Sequence, residues 1–352
     1  MASKVRIGFV GVGSMGQCAH LKNYACLVNE CEVVALAEIR PRLAHAVAQK
    51  YNVPRIYITG EEMIAQEHLD GIVAAQPFDR HGQIISPLYK AGVPVLTEKP
   101  LAASPQVGEQ MLAALSAGGS WHMVGYHKRS DPATMYARAE IDRLKQTGEL
   151  GRLRYVRITM PPGDWIAGGF NDLIQTDEPY PQLAPDPPAD DMDAETYEQY
   201  VRFVNYYIHQ VNLLRYLLGE PYRVTFADRA GMVMGSESVS GVTGVLEMSP
   251  YQTSVDWHES ALVCFEYGYI KLDLPAPLAM NRPGQVQIFR DPGKGSVPQT
   301  VAPTLPWVHA MRQQAVNFIR AIRGEISPPC DAQEAMEDLR IAREYFKLWK
   351  GV

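Results

Sequence analysis

Gly11-Val12-Gly13-Ser14-Met15-Gly16 narrows the possible folds of this chain more than any other stretch. It follows an apolar run at 5–10 that predicts a strand, and it opens a stretch over 14–29 that predicts a helix. In that setting each glycine has its own task. Gly11 makes the tight turn, Gly13 admits a pyrophosphate against bare backbone, and Gly16 lets the helix lie close on the strand. Ser14 and Met15 stand where the helix start presents amide donors and the positive end of its dipole to phosphates. A second predicted strand, 32–37, leads into Glu38, 22 residues after Gly16. A carboxylate there hydrogen-bonds the ribose hydroxyls of NAD and repels a 2′-phosphate. Arg40 keeps NADP open, because a guanidinium accepts that phosphate; it reads equally as the first solvated residue of the next helix.

The rhythm of the first 125 residues supports the same fold. Predicted helices at 41–51, 61–66, 81–91 and 105–117 alternate with short strands at 55–58, 71–75, 93–97 and 122–126. That is the pattern of a Rossmann-type, doubly wound parallel sheet. After it the order changes. A helix over 132–147 ends at Gly148, and 153–160 alternates like a strand with one solvated face. Residues 161–198 are rich in Pro, Asp and Glu, hold no Lys or Arg, and predict a long loop. A helix from about 195 to 218 follows, then strands at 223–227, 242–248, 253–258, 261–266, 268–273 and 286–290, and helices at 306–323 and 331–349. Residues 126–352 therefore predict an α+β domain on a mostly antiparallel open sheet, with one face solvated or used for docking.

Composition excludes other classes. A net charge of −6 over 352 residues disfavours nucleic acid and anionic membrane surfaces as partners. There is neither an apolar run of bilayer length nor signal-peptide architecture, so a cytoplasmic location is expected. Cys18, Cys26, Cys31, Cys264 and Cys330 form no metal-ligand spacing, and reduced thiols with no bound metal are expected.

Further along, Leu96-Thr97-Glu98-Lys99-Pro100-Leu101 closes the fifth strand. Gln76-Pro77-Phe78 with His81 follows strand four, and Gly125-Tyr126 with Arg129 and Pro132 follows strand six. Gly148-Glu149-Leu150-Gly151 and the ending with Phe318, Ile322 and Gly324 complete the set. Over nearly the whole chain these motifs resemble the Gfo/Idh/MocA family, oxidoreductases named for glucose–fructose oxidoreductase and inositol dehydrogenases. The resemblance implies NAD(P)-dependent hydride transfer at a secondary alcohol or ketone of a sugar, sugar derivative or cyclitol. It implies that Gln76, Pro77, His81, Glu98 and Lys99 border the cofactor, that Lys99 is the catalytic or substrate-orienting lysine, and that Pro100 follows a distorted peptide bond. It makes His209 the proton-transferring residue, and it implies a homodimer or homotetramer built on the exposed sheet face.

The residues support part of this directly. A lysine at the carboxyl end of a parallel strand points into the crevice where such sheets bind ligands, and its ammonium stabilises a developing alkoxide. A histidine near neutrality is suited to take an alcohol proton. Asn205 and His209, at i and i+4 of one predicted helix, share a face. Asn205 is a departure, since many family members carry aspartate there; an amide holds hydroxyls but does not raise the basicity of the histidine. Tyr206 and Tyr207 are fallback acids, or packing residues. Among Tyr126, His127, Lys128 and Arg129, one or two face the substrate, with His127 and Lys128 preferred; a solvated basic loop is the equal alternative. Trp165 with Asp164 and Asp172 suits a sugar face and its hydroxyls, or is loop packing. The acidic stretch 177–198 reads as a lid, an oligomer arm, or a mobile solvated loop. Two other functions stay open: a glycosidase that retains NAD and cleaves by transient oxidation and elimination, and a non-catalytic cofactor-binding regulator. A weaker third is a reductase of an aromatic substrate.

Overall fold

The computed structural model describes residues 3–291, 293 and 295–351. The chain divides into two compact units. The first comprises Met1–Tyr126, Gly168–Asn205 and Gln314–Leu339; the second comprises His127–Ala167, Tyr206–Gln313 and Arg340–Val352. Residues 168–205 and 314–339, read from the sequence as parts of the second domain, thus lie with the nucleotide-binding sheet. The reason is packing. Ala315, Phe318 and Ile319 enter the core of the first unit, with Ile174 against it. The Val124 amide also donates to the Cys330 carbonyl at 3.0 Å.

The first unit is built on strands β1 (Val5–Val10), β2 (Cys31–Ala37), β3 (Arg55–Tyr57), β4 (Gly71–Ala74), β5 (Val95–Glu98) and β6 (His122–Gly125). They pair in parallel in the order β3-β2-β1-β4-β5-β6, the doubly wound arrangement expected. β4, β5 and β6 are buried throughout, which is why they read as unbroken apolar runs. The helix after the glycine turn widens to a π-helix over Gly16–Leu21 and continues as α1 (Lys22–Ala25), well short of residue 29. Helices α2 (Pro41–Tyr51), α3 (Gly60–Gln66), α4 (His81–Ile85) and α5 (Pro105–Gly118) follow. The helix expected over 81–91 tightens to a 3₁₀ turn at Ser86–Ala91, where Pro87 removes an amide and crowds the preceding turn.

In the second unit α6 (Pro132–Thr147) precedes β7 (Leu153–Met160). The helix expected from 195 to 218 is two, α7 (Ala194–Tyr206), which up to Asn205 belongs to the first unit, and α8 (Ile208–Leu218) of the second, interrupted at Tyr207. Strands β8 (Tyr222–Ala227), β9 (Val233–Ser238), β10 (Thr243–Met248), β11 (Glu259–Phe265), β12 (Gly268–Leu274), β13 (Gln285–Arg290) and β14 (Gln299–Val301) complete an eight-stranded sheet. Its order is β14-β13-β12-β11-β7-β10-β9-β8, antiparallel except where β10 lies parallel to β7. Helices α9 (Ala310–Ile322) and α10 (Ala332–Lys350) end the chain.

Two sequence readings of strands fail for local reasons. Residues 253–258 form no strand: Asp256 caps the Trp257 amide at 2.7 Å and holds His258 at 3.1 Å, side-chain bonds that compete with a ladder. β9 was hidden by Gly235. A Cβ there would stand 3.0 Å from that of Phe226, so glycine marks a close approach between strands.

Candidate active site

The glycine turn has the geometry its sequence requires. Gly11 adopts φ +87°, and a Cβ there would meet Gln76 Nε2 at 2.2 Å and the Ala75 carbonyl at 2.6 Å. On Gly16 a Cβ would stand 2.4 Å from the Gly11 carbonyl, a backbone contact that cannot yield. Beside Gly13, by contrast, only Arg40 Nη2 comes within reach, at 3.7 Å. Backbone is therefore bare where a pyrophosphate would approach it. Ser14 and Met15 begin the helix, as expected, and the Gln17 amide bonds back to the Gly13 carbonyl at 2.9 Å.

Glu38 is 5% exposed and bonded on both oxygens. Oε2 accepts the Val12 amide at 3.0 Å, while Oε1 accepts the Arg40 amide at 3.2 Å and Arg40 Nε at 2.7 Å. Arg40 Nη2 adds a second contact to Oε2 at 3.2 Å. The guanidinium is thus neutralised by Glu38. A bare loop, a helix start and a carboxylate at the end of β2 fit a dinucleotide with an unphosphorylated ribose.

At the ends of β4 and β5 the expected residues take unequal roles. Lys99 extends from the end of β5, its peptide bond to Pro100 is cis, and its ammonium donates to the Asn205 carbonyl in the last turn of α7. Asn205 therefore meets Lys99 through backbone. Glu98 turns inward: Oε1 meets His20 Nε2 at 2.7 Å, and Oε2 accepts the Lys99 amide at 3.3 Å. Burial alone would raise the Glu98 carboxyl, but the hydrogen bond and charge of His20, helped by Lys99, outweigh it and hold the group below its usual value. His81 is fully buried between the carbonyls of Leu101 (3.0 Å) and Gln76 (3.2 Å), and burial lowers its pKa. It braces the loop after β4, which carries Gln76 and Pro77, against the stretch after Lys99.

In the second unit, His127 lies edge-on to His209, with ring centroids 4.5 Å apart. The interruption at Tyr207 removes the premise that 205 and 209 share a face of one continuous helix. Lys128 is not a solvated loop residue: it is 3% exposed and paired with Glu259, whose side chain is fully buried. Glu259 also accepts Gln210 Nε2 at 2.8 Å and Trp257 Nε1 at 3.1 Å, and Lys128 stands 5.6 Å from the Trp257 ring centroid. Glu259, Gln210 and Trp257 escaped sequence reasoning because only folding joins α8 to the start of β11. Arg129 holds Asn212 Oδ1 at 2.7 Å and covers Tyr216, a brace to α8.

A cleft of ≈ 570 Å³ in this unit is lined by Thr159, Ser260, Asp273 and Gln285, in register across four strands, and by Trp257 and Arg282. Asp164 also borders it, although its Oδ1 accepts the Ile166 and Ala167 amides at 3.0 and 3.1 Å. Trp165 is half-buried, and its carbonyl accepts the Leu278 amide at 3.2 Å. Asp172 belongs to the first unit, where it pairs with Lys22 and Lys50. Tyr126 is 2% exposed. Burial raises the phenols of Tyr206 and Tyr207, and the Tyr207 hydroxyl is bonded to Ser249. Among the described residues no disulfide forms, and no cluster of three or more His, Cys, Asp or Glu could hold a metal.

The strand order and the glycine turn define a Rossmann-type dinucleotide-binding protein. Residues 5–126 match the model of the GFO_IDH_MocA family, described as an oxidoreductase family with an NAD-binding Rossmann fold. The inositol 2-dehydrogenase of Rhizobium meliloti is 31% identical over 177 residues, 48% of this chain and 51% of the relative. The chain spans about half the length or less of the first curated relatives it matches. Among solved structures, a putative NADPH-dependent oxidoreductase from Desulfitobacterium hafniense superposes with a TM-score of 0.76 at 15% identity, covering 99% of this chain and 96% of that one. The scyllo-inositol dehydrogenase of Lactobacillus casei, with bound NAD(H) and scyllo-inositol, gives 0.68 at 14% identity, covering 99% and 98%. These likenesses show that the fold extends over the whole chain. Among the described residues no helix is long and apolar enough to cross a membrane.

Proposed function

We propose that this protein is an NAD(H)-dependent dehydrogenase acting on a secondary alcohol of a sugar, sugar derivative or cyclitol. The observation that carries the reading is Lys99, set at the carboxyl end of β5 in a unit whose glycine turn and Glu38 suit an unphosphorylated dinucleotide. NAD, when bound, supplies the hydride acceptor. Lys99 holds the reacting oxygen and stabilises negative charge on it, and His209 takes the alcohol proton. Neutralisation of Arg40 by Glu38 favours NAD over NADP. Inositol 2-dehydrogenases among the relatives support a sugar or cyclitol substrate.

The reading includes a cytoplasmic homo-oligomer, because Tyr155, Leu262 and Phe289 leave the second face of the large sheet only half-buried. The test is a screen of polyols, cyclitols and glycosides with NAD and NADP, followed at the NADH absorbance band. Turnover with NAD on at least one polyol or cyclitol is expected. No signal with any of them would overturn the free dehydrogenase reading, and glycoside cleavage without NADH release would replace it by the cofactor-retaining glycosidase.

A further inference from the structure

The acidic stretch from Gly168 to Asp193, although mostly exposed, is fastened to the first unit at several points. At one end the Gln17 carboxamide bonds the backbone of Ile174 in both directions, donating to its carbonyl at 3.1 Å and accepting from its amide at 3.0 Å. Asp172 pairs with the ammonium groups of Lys22 and Lys50, each at 3.5 Å. Glu178 then accepts the Arg42 and Leu43 amides, at 3.1 and 2.9 Å, in the first turn of α2. Asp177 pairs with Arg42 at 2.6 Å, and the Tyr180 ring centroid stands 5.1 Å from the Arg40 guanidinium. Farther on, Asp186 accepts the Gly82 and Gln83 amides at 2.8 and 3.2 Å, and Arg80 Nε donates to the Ala184 carbonyl at 3.0 Å.

Apart from Lys50, in the last turn of α2, the partners of this segment sit in the loops and early helical turns that follow β1, β2 and β4. Those are the carboxyl-edge loops that border the ligand crevice of an open parallel sheet. Every charged group of the segment is a carboxylate, and at Asp172, Asp177, Glu178 and Asp186 these meet cations or helix-start amides of the sheet unit. Tyr180 meets Arg40, which itself holds Glu38, the ribose-binding carboxylate. An aromatic ring beside a guanidinium plane offers two stacking surfaces suited to a purine.

Resting on the reading of the chain as an NAD(H)-binding enzyme, we propose that residues 168–193 form a strap over the bound dinucleotide. Tyr180 is a further adenosine-side contact, and opening of the strap sets the rate of cofactor exchange. Because the attachments are ionic and exposed in part, added salt loosens them.

The experiment is stopped-flow chase of bound NADH by excess NAD, read by NADH fluorescence, on the full chain and on Tyr180→Ala and Glu178→Gln/Asp186→Asn variants. NADH release is expected to quicken about tenfold in the double variant, as the loss of two helix-start carboxylates implies, and several-fold in Tyr180→Ala, which leaves every strap bond in place. Wild-type release should also quicken with ionic strength, and NADH should protect 168–193 from limited proteolysis. If the wild type binds NADH but both variants release it at the wild-type rate, or if NADH leaves cleavage of the segment unchanged, the strap is overturned and the cofactor reading stands. If the wild type binds no NADH, the cofactor reading itself falls, and the strap with it.

Discussion

Glu259 accepts three donors from three parts of the second unit, Lys128 Nζ, Gln210 Nε2 and Trp257 Nε1, with its own side chain fully buried and that of Lys128 only 4% exposed. Glu259→Leu leaves the Lys128 ammonium in the interior without its counter-charge. Breaking a buried pair from one side costs about 3–5 kcal/mol. The amide and indole donors left behind add about 1–3 kcal/mol, not fully additively, so the single variant should lose about 4–6 kcal/mol. Lys128→Met/Glu259→Leu removes both charges and leaves apolar groups of similar size, so only the neutral donors remain unsatisfied, for a loss of about 1–3 kcal/mol. The double variant should therefore be more stable than the Glu259→Leu single. Urea unfolding of the wild type, both singles and the double, fitted for midpoint and slope, measures this directly. A Glu259→Leu loss below about 1 kcal/mol, or a double variant no more stable than that single, would refute the claim that this carboxylate exists to neutralise a buried lysine.

Lys99→Met should leave NADH affinity within about threefold while lowering turnover at least about a hundredfold, the usual scale for losing one stabiliser of a developing oxyanion; near-normal turnover in that variant would transfer the role elsewhere. His122 is buried between the Tyr89 hydroxyl and Thr97 Oγ1, both at 2.8 Å; burial, with a smaller effect of the His81 charge, pushes its pKa down to about 3. A depressed folded pKa means that its contribution is complete above the unfolded value near 6.5 and is lost as pH falls from about 6.5 toward 3. Urea midpoints should fall across that window in the wild type and fall less steeply in His122→Gln; parallel curves would count against the assignment.

The nucleotide-binding sheet was legible almost strand by strand, because strands buried on both faces leave continuous apolar runs, and glycines and prolines punctuate them. The Glu38 position and the strand-end Lys99 followed from the same pattern. The second unit was legible as a class only. Its strands alternate, so Gly235 and the serines of β9 masked one, while the apparent run at 253–258 satisfies its polar groups locally. Nothing in the composition of 195–218 marks the break at Tyr207, which has no proline or glycine beside it. The strap was read as a loop correctly in backbone terms, yet its attachments could not be foreseen. A carboxylate that caps a helix start more than a hundred residues away leaves no trace in local spacing, and Glu178 with α2 is such a case.

The chain crosses between its two units at 126/127, 167/168, 205/206, 313/314 and 339/340. In terms of heredity, this means the nucleotide-binding unit is not a cassette. A single recombination at residue 126 would transplant the glycine turn and Lys99 but leave behind Phe318, Ile319 and the carboxylates that close on α2. New specificities in a chain wired this way are more accessible by point substitution within the two interleaved units than by exchange of whole domains, since any donor fragment must bring several separated segments at once.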